Sequence, residues 1–419
     1  MSYPVTVGAT FDFSNGATFG YPIILDDVQN ARLGYGTLGE SIPRIVDISG
    51  QVMSIKILGG YNLLRDQFEA ANAIFKIADE TGAWNPMNSS SPYYPDLVPL
   101  RKIRAYGVYN GVTSYIFSGY VTSYEYTYPK DQDVGYVTIN ATDGFRLLQM
   151  ANVTTIADSG SGQDTGTRIN KILDQIGFPS SLREITTGGS ETICQADPAT
   201  NRTALDAIKM VEFTEQGAFY MNGEGAAEFH SRAWLMAQSG KDPVFFSNDG
   251  TGISYFNIVP KLDDKLIINE ANVQTIGGTA QIASNADSIA KYFPHSITQQ
   301  NIVALNDSDA LNIAKNYVAT RAETAIRIDS MTLDLSTPDY ETGIQAALAG
   351  DFFQTFRIKN VAQDGTIIDR TLQVVGISHD ISPSQWRTTF TTSEPIVGSF
   401  VLDSPIYGVI GDYNSVLGY

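Results

Sequence analysis

The sequence predicts a mainly β protein, α+β overall, with two related β-barrel domains and a small inserted α+β domain. Three observations carry this reading. Long stretches alternate apolar and polar residues with a period of two, as half-buried strands do. One ordered set of strands, loop and turns occurs at 68–148 and again, more weakly, at 326–394. Between the copies the apolar spacing becomes helical. The predicted divisions are 1–50, an N-terminal extended segment; 51–155, the first barrel; 156–241, the insertion; 242–399, the second barrel; and 400–419, a C-terminal tail.

Composition agrees. Of 419 residues, 43% are hydrophobic and 17% charged, below the roughly 25% charged of ordinary globular chains. Ser, Thr, Asn and Gly fill the difference, as a turn-rich β protein requires. The formal charge of −18 opposes nucleic-acid binding, which depends on Lys and Arg neutralising phosphates. The densest basic run is Arg101-Lys102-Ile103-Arg104. An acidic surface does suit a passage that DNA must slip through without sticking. No stretch approaches the roughly 18 to 20 apolar residues that span a membrane, so no stable membrane insertion is expected. The N-terminus shows no basic region followed by an apolar core, which reads as synthesis in a cytoplasm. Cys194 is the only cysteine, so no internal disulfide forms.

In chain order, residues 1–40 are rich in Gly, Asp and aromatics without helical period. There Gly34-Tyr35-Gly36-Thr37-Leu38-Gly39 matches a dinucleotide fingerprint by letter, but Pro43 and a strand-like run follow where a helix is required. From Gln51 the first copy begins: Met53, Ile55 and Ile57 share one face, and Ala73–Asp79 forms a second strand. The loop at 81–100 holds Pro86, Pro92, Pro95 and Pro99. Loops of that length are usually functional. Trp84, Asn85, Pro86, Tyr93, Tyr94 and Pro95 are therefore candidate interface residues, since rigid aromatics on a proline-fixed loop anchor contacts well. The other reading is that they fold back onto their own barrel. Strands follow at Lys102–Val108, Ser114–Tyr128 and Tyr136–Thr142, then a short helix, Phe145–Gln149.

Residues 152–165 are a polar linker. Ile169, Ile172, Leu173 and Ile176 then mark a helix with Thr165 or Thr167 as its N-cap, stopped by Gly177 and Pro179. Thr203 with Asp206 caps a second helix that ends at Gly217, and a hairpin turns at Asn222–Gly225. Strands return at Leu262–Thr275 and Gly277–Ala283, with a helix at Asp307–Arg321. The strand Ile326–Leu335 shifts its apolar phase midway, as at a bulge. In the repeat, Ile74–Asp79 matches Met331–Asp334, Leu97–Arg104 matches Leu348–Arg357, and the strand through Gly119 matches that through Gly376. Tyr136–Thr142 matches Trp386–Thr392.

Catalytic chemistry finds little support. His230, His295 and His379 are scattered, without the spacing of a zinc site. The carboxylate pairs Asp26-Asp27, Glu212/Glu215, Asp263-Asp264 and Asp307/Asp309 read as solvated turns or helix caps. Asp131-x-Asp133-x-Gly135 lacks the later Glu of a calcium loop, and Gly160-x-Gly162 has no phosphate-binding lysine. No catalytic, metal or cofactor residue is assigned, and the chain is not expected to be an enzyme.

Four phrases, in order, carry a family resemblance. DETGAWNPMNSSSPYYPDLVPLRKIRAY, LDAIKMVEFTEQGAFYMNGEGAAEFHSR, GISHDISPSQWRTTFTTS and FVLDSPIYGVIGDYNSVLGY resemble segments of minor tail proteins of long, non-contractile-tailed phages. The resemblance implies a structural virion protein at the tail tip, of the baseplate-hub kind. It implies two barrels per subunit and a homotrimer whose pseudo-sixfold ring joins the hexameric tail tube to a threefold tip. Implied neighbours are the distal tail protein, the tape measure protein, a central fibre or receptor-binding protein, and genomic DNA passing without specific binding. Tyr407, in the last phrase, joins the interface candidates. No appended lysozyme or peptidase segment is seen. The rival readings are a hexameric distal tail ring and a carbohydrate-binding or adhesin module.

Overall fold

The computed structural model describes residues 4–14, 18–19, 21–22, 36–37, 44–62, 67–128, 135–188, 192–324, 326–336 and 341–394. Asp26, Asp27, Asp131, Asp133 and Tyr407, and most of the Gly34–Gly39 match, lie outside them.

The first half contributes β1 (Val5–Asp12), β2 (Ile45–Asp47), β3 (Val52–Asn62), β4 (Gln67–Asp79), β5 (Lys102–Tyr109), β6 (Val112–Thr127) and β7 (Gly135–Thr142). An insertion follows: α1 (Phe145–Met150), α2 (Thr165–Gln175), β8 (Arg183–Ile185), α3 (Ala204–Glu215), β9 (Ala218–Met221), β10 (Ala227–His230) and α4 (Arg232–Ser239). The second half opens with β11 (Val244–Ser247) and β12 (Asn257–Lys261). A second insertion holds β13 (Glu270–Thr275), β14 (Gln281–Ser284), α5 (Ala286–Tyr292), β15 (Ser296–Ile302) and α6 (Asp307–Arg321). The chain then completes the second half with β16 (Arg327–Asp334), α7 (Glu341–Ala349), β17 (Thr355–Val361), β18 (Ile367–Ser382) and β19 (Gln385–Ser393).

Among the described residues, thirteen strands join in one sheet. Its first half runs β3-β4-β7-β6-β5-β1, with β2 at the far edge. Its second half runs β12-β16-β19-β18-β17-β11. The two orders correspond strand for strand. They differ in that β1 is antiparallel to β5, whereas β11 is parallel to β17.

The correspondence extends to single residues. Tyr120 pairs with Lys102 and Thr142 at once, and Gln373 with Thr355 and Ser393. Each ladder then slips, between Val121 and Ser123 and between Val374 and Gly376. Leu100 and Phe353, both in left-handed backbone (φ 64° and 67°), donate their N–H groups to the carbonyls of Val121 (2.7 Å) and Val374 (2.6 Å). A non-glycine residue in that region costs about 1 kcal/mol, so its appearance at the same point of both halves marks a shared design.

The halves meet where β18 pairs with β3, from Gly376 opposite Gly60 to Ile381 opposite Ile55. Gly60 (φ 152°) is required there: a Cβ would lie 2.5 Å from the Gly376 Cα. Inward side chains of both halves form one core, including Phe11, Ile55, Phe75, Ile103, Met331, Phe356 and Phe390. Leu348 and Trp386 of the second half reach Gly107 of the first, closing the space between them.

Three expectations are corrected. Residues 1–50 are not merely an extension, because β1 pairs along its whole length with β5 and buries Phe11. Met53 does not share the buried face of Ile55 and Ile57: the β3–β4 ladder slips between Val52 and Ser54, which turns it outward. Residues 242–399 are interrupted, because β13, β14 and β15 pair with one another and pack under α6 on a separate core of Ala271, Val273, Ile313 and Tyr317. The first insertion has its own core too, with Ile169, Ile172, Leu173, Ile208, Val211 and Phe219. Asp164, not Thr165 or Thr167, caps α2, accepting from the Thr167 N–H, and Thr203 caps α3, accepting from the Asp206 N–H.

Candidate interface surfaces

The 81–100 loop is built by turns repeating every three residues. The N–H groups of Asn85, Asn88, Ser91 and Tyr94 donate to the carbonyls of Gly82, Asn85, Asn88 and Ser91. Asn side chains reinforce it: Asn85 Oδ1 accepts from Met87 N–H (2.9 Å), and Asn88 Nδ2 donates to the Gly82 carbonyl (3.0 Å). Small polar residues suit such turns because their side chains satisfy nearby backbone groups.

This winding sorts the aromatics. Trp84 is fully buried and Tyr93 nearly so. Trp84 lies edge-on to Phe11 (5.4 Å between centroids), Tyr93 stacks on Phe13 (4.6 Å, 8°), and Trp84 Nε1 donates to Gln51 Oε1 (2.9 Å). These two residues fold back onto their own barrel, so the structure does not offer them to a partner. Asn85 and Pro86 are half-buried, and Tyr94 and Pro95 are exposed. Met87, 86% exposed, is a prominent apolar side chain that the sequence reading passed over, because aromatics drew attention to their own positions. Two arginines fasten the loop: Arg44 Nη1 donates to Asp96 Oδ2 (2.7 Å), and Arg101 donates to Asp96 and to the Ser14 carbonyl.

Arg101 and Lys102 are themselves buried, so the densest basic run of the sequence is not a surface patch. Burial lowers the Lys102 pKa to about 8, although Asp12 opposes it.

Buried polar centres lie in the insertion and at its contact with the sheet. Glu212 and Glu215 are fully buried, not solvated as their spacing suggests. Glu212 accepts from Lys209 Nζ (2.7 Å) and Phe219 N–H (2.8 Å), tying α3 to β9. Glu215 accepts from Thr165 Oγ1 (3.1 Å) and Arg232 N–H (3.3 Å), tying α3 to α2 and α4. Burial raises the Glu212 pKa against the pull of Lys209. Sequence reasoning missed this because helical spacing tells which face a residue occupies, not whether another element covers it.

His230 lies beside Tyr220 (3.1 Å) and Glu228 (3.2 Å) and stacks on Trp234 (3.7 Å). Tyr220 Oη donates to Glu228 Oε2 (2.6 Å), and Asn222 Nδ2 to Oε1 (2.7 Å). Burial would raise the Glu228 pKa, but hydrogen bonds from His230, Tyr220 and Asn222 hold it low. Burial and the Glu228 charge push the Tyr220 phenol well up. The cluster thus keeps a protonated phenol and an ionised carboxylate bonded to each other, a fastening for the β9–β10 hairpin. His379 is buried beneath Trp386, with Nδ1 accepting from Trp386 Nε1 (3.3 Å), and burial lowers its pKa to about 4. The Cys194 thiol is buried and pushed up to about 12, which opposes reactivity. Asp263 receives Arg327 Nη2 (2.9 Å), and Asp307 accepts from Thr275 and Thr279, so both hold turns. Among the described residues no group of three or more His, Cys, Asp or Glu is placed to hold a metal ion, and no helix is long and apolar enough to cross a membrane.

No protein-family model matches the chain, and no curated protein matches it. Solved structures do. The tail protein from Neisseria meningitidis MC58 aligns with TM-score 0.53 at 11% identity, over 94% of this chain and 97% of that one. The 43 kDa tail protein of prophage MuSo2 from Shewanella oneidensis aligns with TM-score 0.53 at 9% identity, over 92% and 98%. The chain has the mainly β fold of phage tail proteins. The likeness spans nearly the whole of both chains.

Proposed function

We propose that this chain is a structural component of a phage tail that assembles as a homotrimer at the tail tip. The observation that carries the reading is the strand-for-strand equivalence of the two halves. Three copies present six similar halves, which suits a ring matching a hexameric tube on one side and a threefold tip on the other. The distal tail protein, the tape measure protein and a central fibre or receptor-binding protein are the expected neighbours in the virion. The net charge of −18 and the burial of Arg101 and Lys102 favour a conduit that DNA passes without binding. Met87, Tyr94, Pro95 and Val98 form the exposed face of the 81–100 loop and are the docking surface proposed for a neighbouring tail protein. Asn85 holds its shape through turn hydrogen bonds, and the half-buried Pro86 lies beside it.

The test is the mass of the purified chain in solution, by light scattering over a range of concentrations. Three times 45.5 kDa is expected. A hexamer overturns the threefold reading and points to a distal tail ring instead.

A further inference from the structure

The junction between the two halves has a counterpart that no described strand fills. Within the chain, the C-terminal part of β18 pairs on one side with β19 and on the other with β3. The strand equivalent to β18 is β6, and the strand equivalent to β3 is β12. Among the described residues, Ser123–Thr127 of β6 pairs with β7 on one side and with no strand on the other. Likewise β12 pairs with β16 and with no second strand. Among the described residues there are therefore one filled junction and the two unfilled halves of another.

We infer that neighbouring copies join by adding β12 of one copy to the open edge of β6 in the next, repeating the internal β3–β18 junction. The inference rests on the ring reading above. Shared ladder positions fix the register. Gln373 matches Tyr120 through their double pairing, so Asp380 matches Thr127. Lys56 lies opposite Ile74, which lies opposite Asn140; Val259 lies opposite Ser330, which lies opposite Thr391. Asn140 and Thr391 pair with the equivalent Ser123 and Gly376, so Lys56 matches Val259. Asp380 faces Lys56 inside the chain. Between copies, Thr127 faces Val259 of the next copy.

At the filled junction the facing Lys56 and Asp380 stay exposed, with Lys56 Nζ 3.4 Å from Asp380 Oδ2, while Ile55, Ile57 and Ile381 turn into the core. At the open edges Phe256, Val259 and Leu262 are 57%, 42% and 62% exposed, and Tyr128 is 55% exposed. Lys261 comes within one ladder position of the exposed Glu125, a spacing at which opposite charges on neighbouring strands attract. The β12 edge is short and carries Pro260, features that limit unspecific pairing of a free edge. A head-to-tail contact of this kind forms a closed ring when its rotation closes.

Cross-linking tests it. The full-length variants Thr127→Cys and Val259→Cys are mixed and mildly oxidised, with the unsubstituted chain as the control for Cys194. Facing ladder positions lie within disulfide reach. The mixture is expected to give a linked species of twice 45.5 kDa, and neither variant alone should do so. The double variant should stop at three linked chains. Both sites are surface positions, and circular dichroism checks that folding is kept. A trimer in solution whose mixed variants do not link overturns the junction and leaves the threefold reading standing. Linking that runs past three chains keeps the junction and overturns threefold closure. A chain that stays monomeric and unlinked at high concentration overturns the junction. Linking that appears only after residues 395–419 are removed assigns the edge to the chain's own C-terminal segment and also overturns it.

Discussion

Replacing Trp84 with alanine separates a barrel-core role from a docking role for the 81–100 loop. The side chain is fully buried against Phe11, Phe13 and Tyr93. Removing roughly 200 Å² of buried aromatic surface at roughly 25 cal/mol per Å² costs about 5 kcal/mol. Loss of the bond to Gln51 adds about 1 kcal/mol. Partial collapse of the loop onto the cavity returns some of this, so the expected loss is about 4 kcal/mol, inside the range for large aromatic-to-alanine changes. Urea unfolding followed by circular dichroism measures it as a fall in midpoint at constant slope. Trp84→Phe keeps a ring in the stack and loses about 1 to 2 kcal/mol, chiefly the N–H bond and some volume. A loss below about 1 kcal/mol for Trp84→Ala, with assembly abolished, would rule out the core role and return Trp84 to the interface.

Three further outcomes are expected. Burial holds the His379 pKa at about 4, below the ordinary imidazole value of 6.5, so the stability it gives is present above pH 6.5 and lost as pH falls toward 4. The loss reaches about 3 kcal/mol at 1.36 kcal/mol per pKa unit, and His379→Asn, still able to accept from Trp386, should flatten it in pH-dependent urea melts. Asp143 has the opposite sense: burial raises its pKa to about 7 from 3.8, so its contribution is full below pH 3.8 and lost as pH rises through 7. Asp143→Asn should therefore gain about 4 kcal/mol relative to the parent between pH 4 and 8, read from the same melts, and a constant difference would sink the assignment. Tyr94→Ala and Met87→Ala, at exposed sites, should leave unfolding within about 0.5 kcal/mol while weakening addition of the chain to tails lacking it, measured by tail-assembly complementation.

Much of the architecture was legible in residue order. The alternation in Val137, Ile139 and Ala141 places the same side chains in the core that β7 buries. The spacing of Ile169, Ile172 and Leu173 marks the buried face of α2, and Thr203 caps α3 as its pairing with Asp206 suggests. The repeat was visible as pattern because each half must place apolar residues at the same strand positions, whatever their identity. Phe75 and Met331, for example, occupy equivalent buried places. Periodicity of two or 3.6 is local physics, so a single sequence reports it.

Tertiary structure decided the rest, because each remaining question concerned residues far apart in the chain. Whether Trp84 faces out or in depends on Phe11 of β1 and Phe13 just after it arriving beneath the loop. Whether Glu212 and Glu215 are wet depends on β9, α2 and α4 closing over α3. The left-handed backbone at Leu100 and Phe353 leaves no mark in letters, since neither is a glycine. The second insertion hid inside an expected barrel because β13 and β15 alternate like any strands; only pairing partners distinguish one sheet from another. Residue order alone set many of the elements and the apolar faces of the regular ones. Which faces meet, and so which edges stay open, is a property of contacts between distant segments, and only the folded chain contains it.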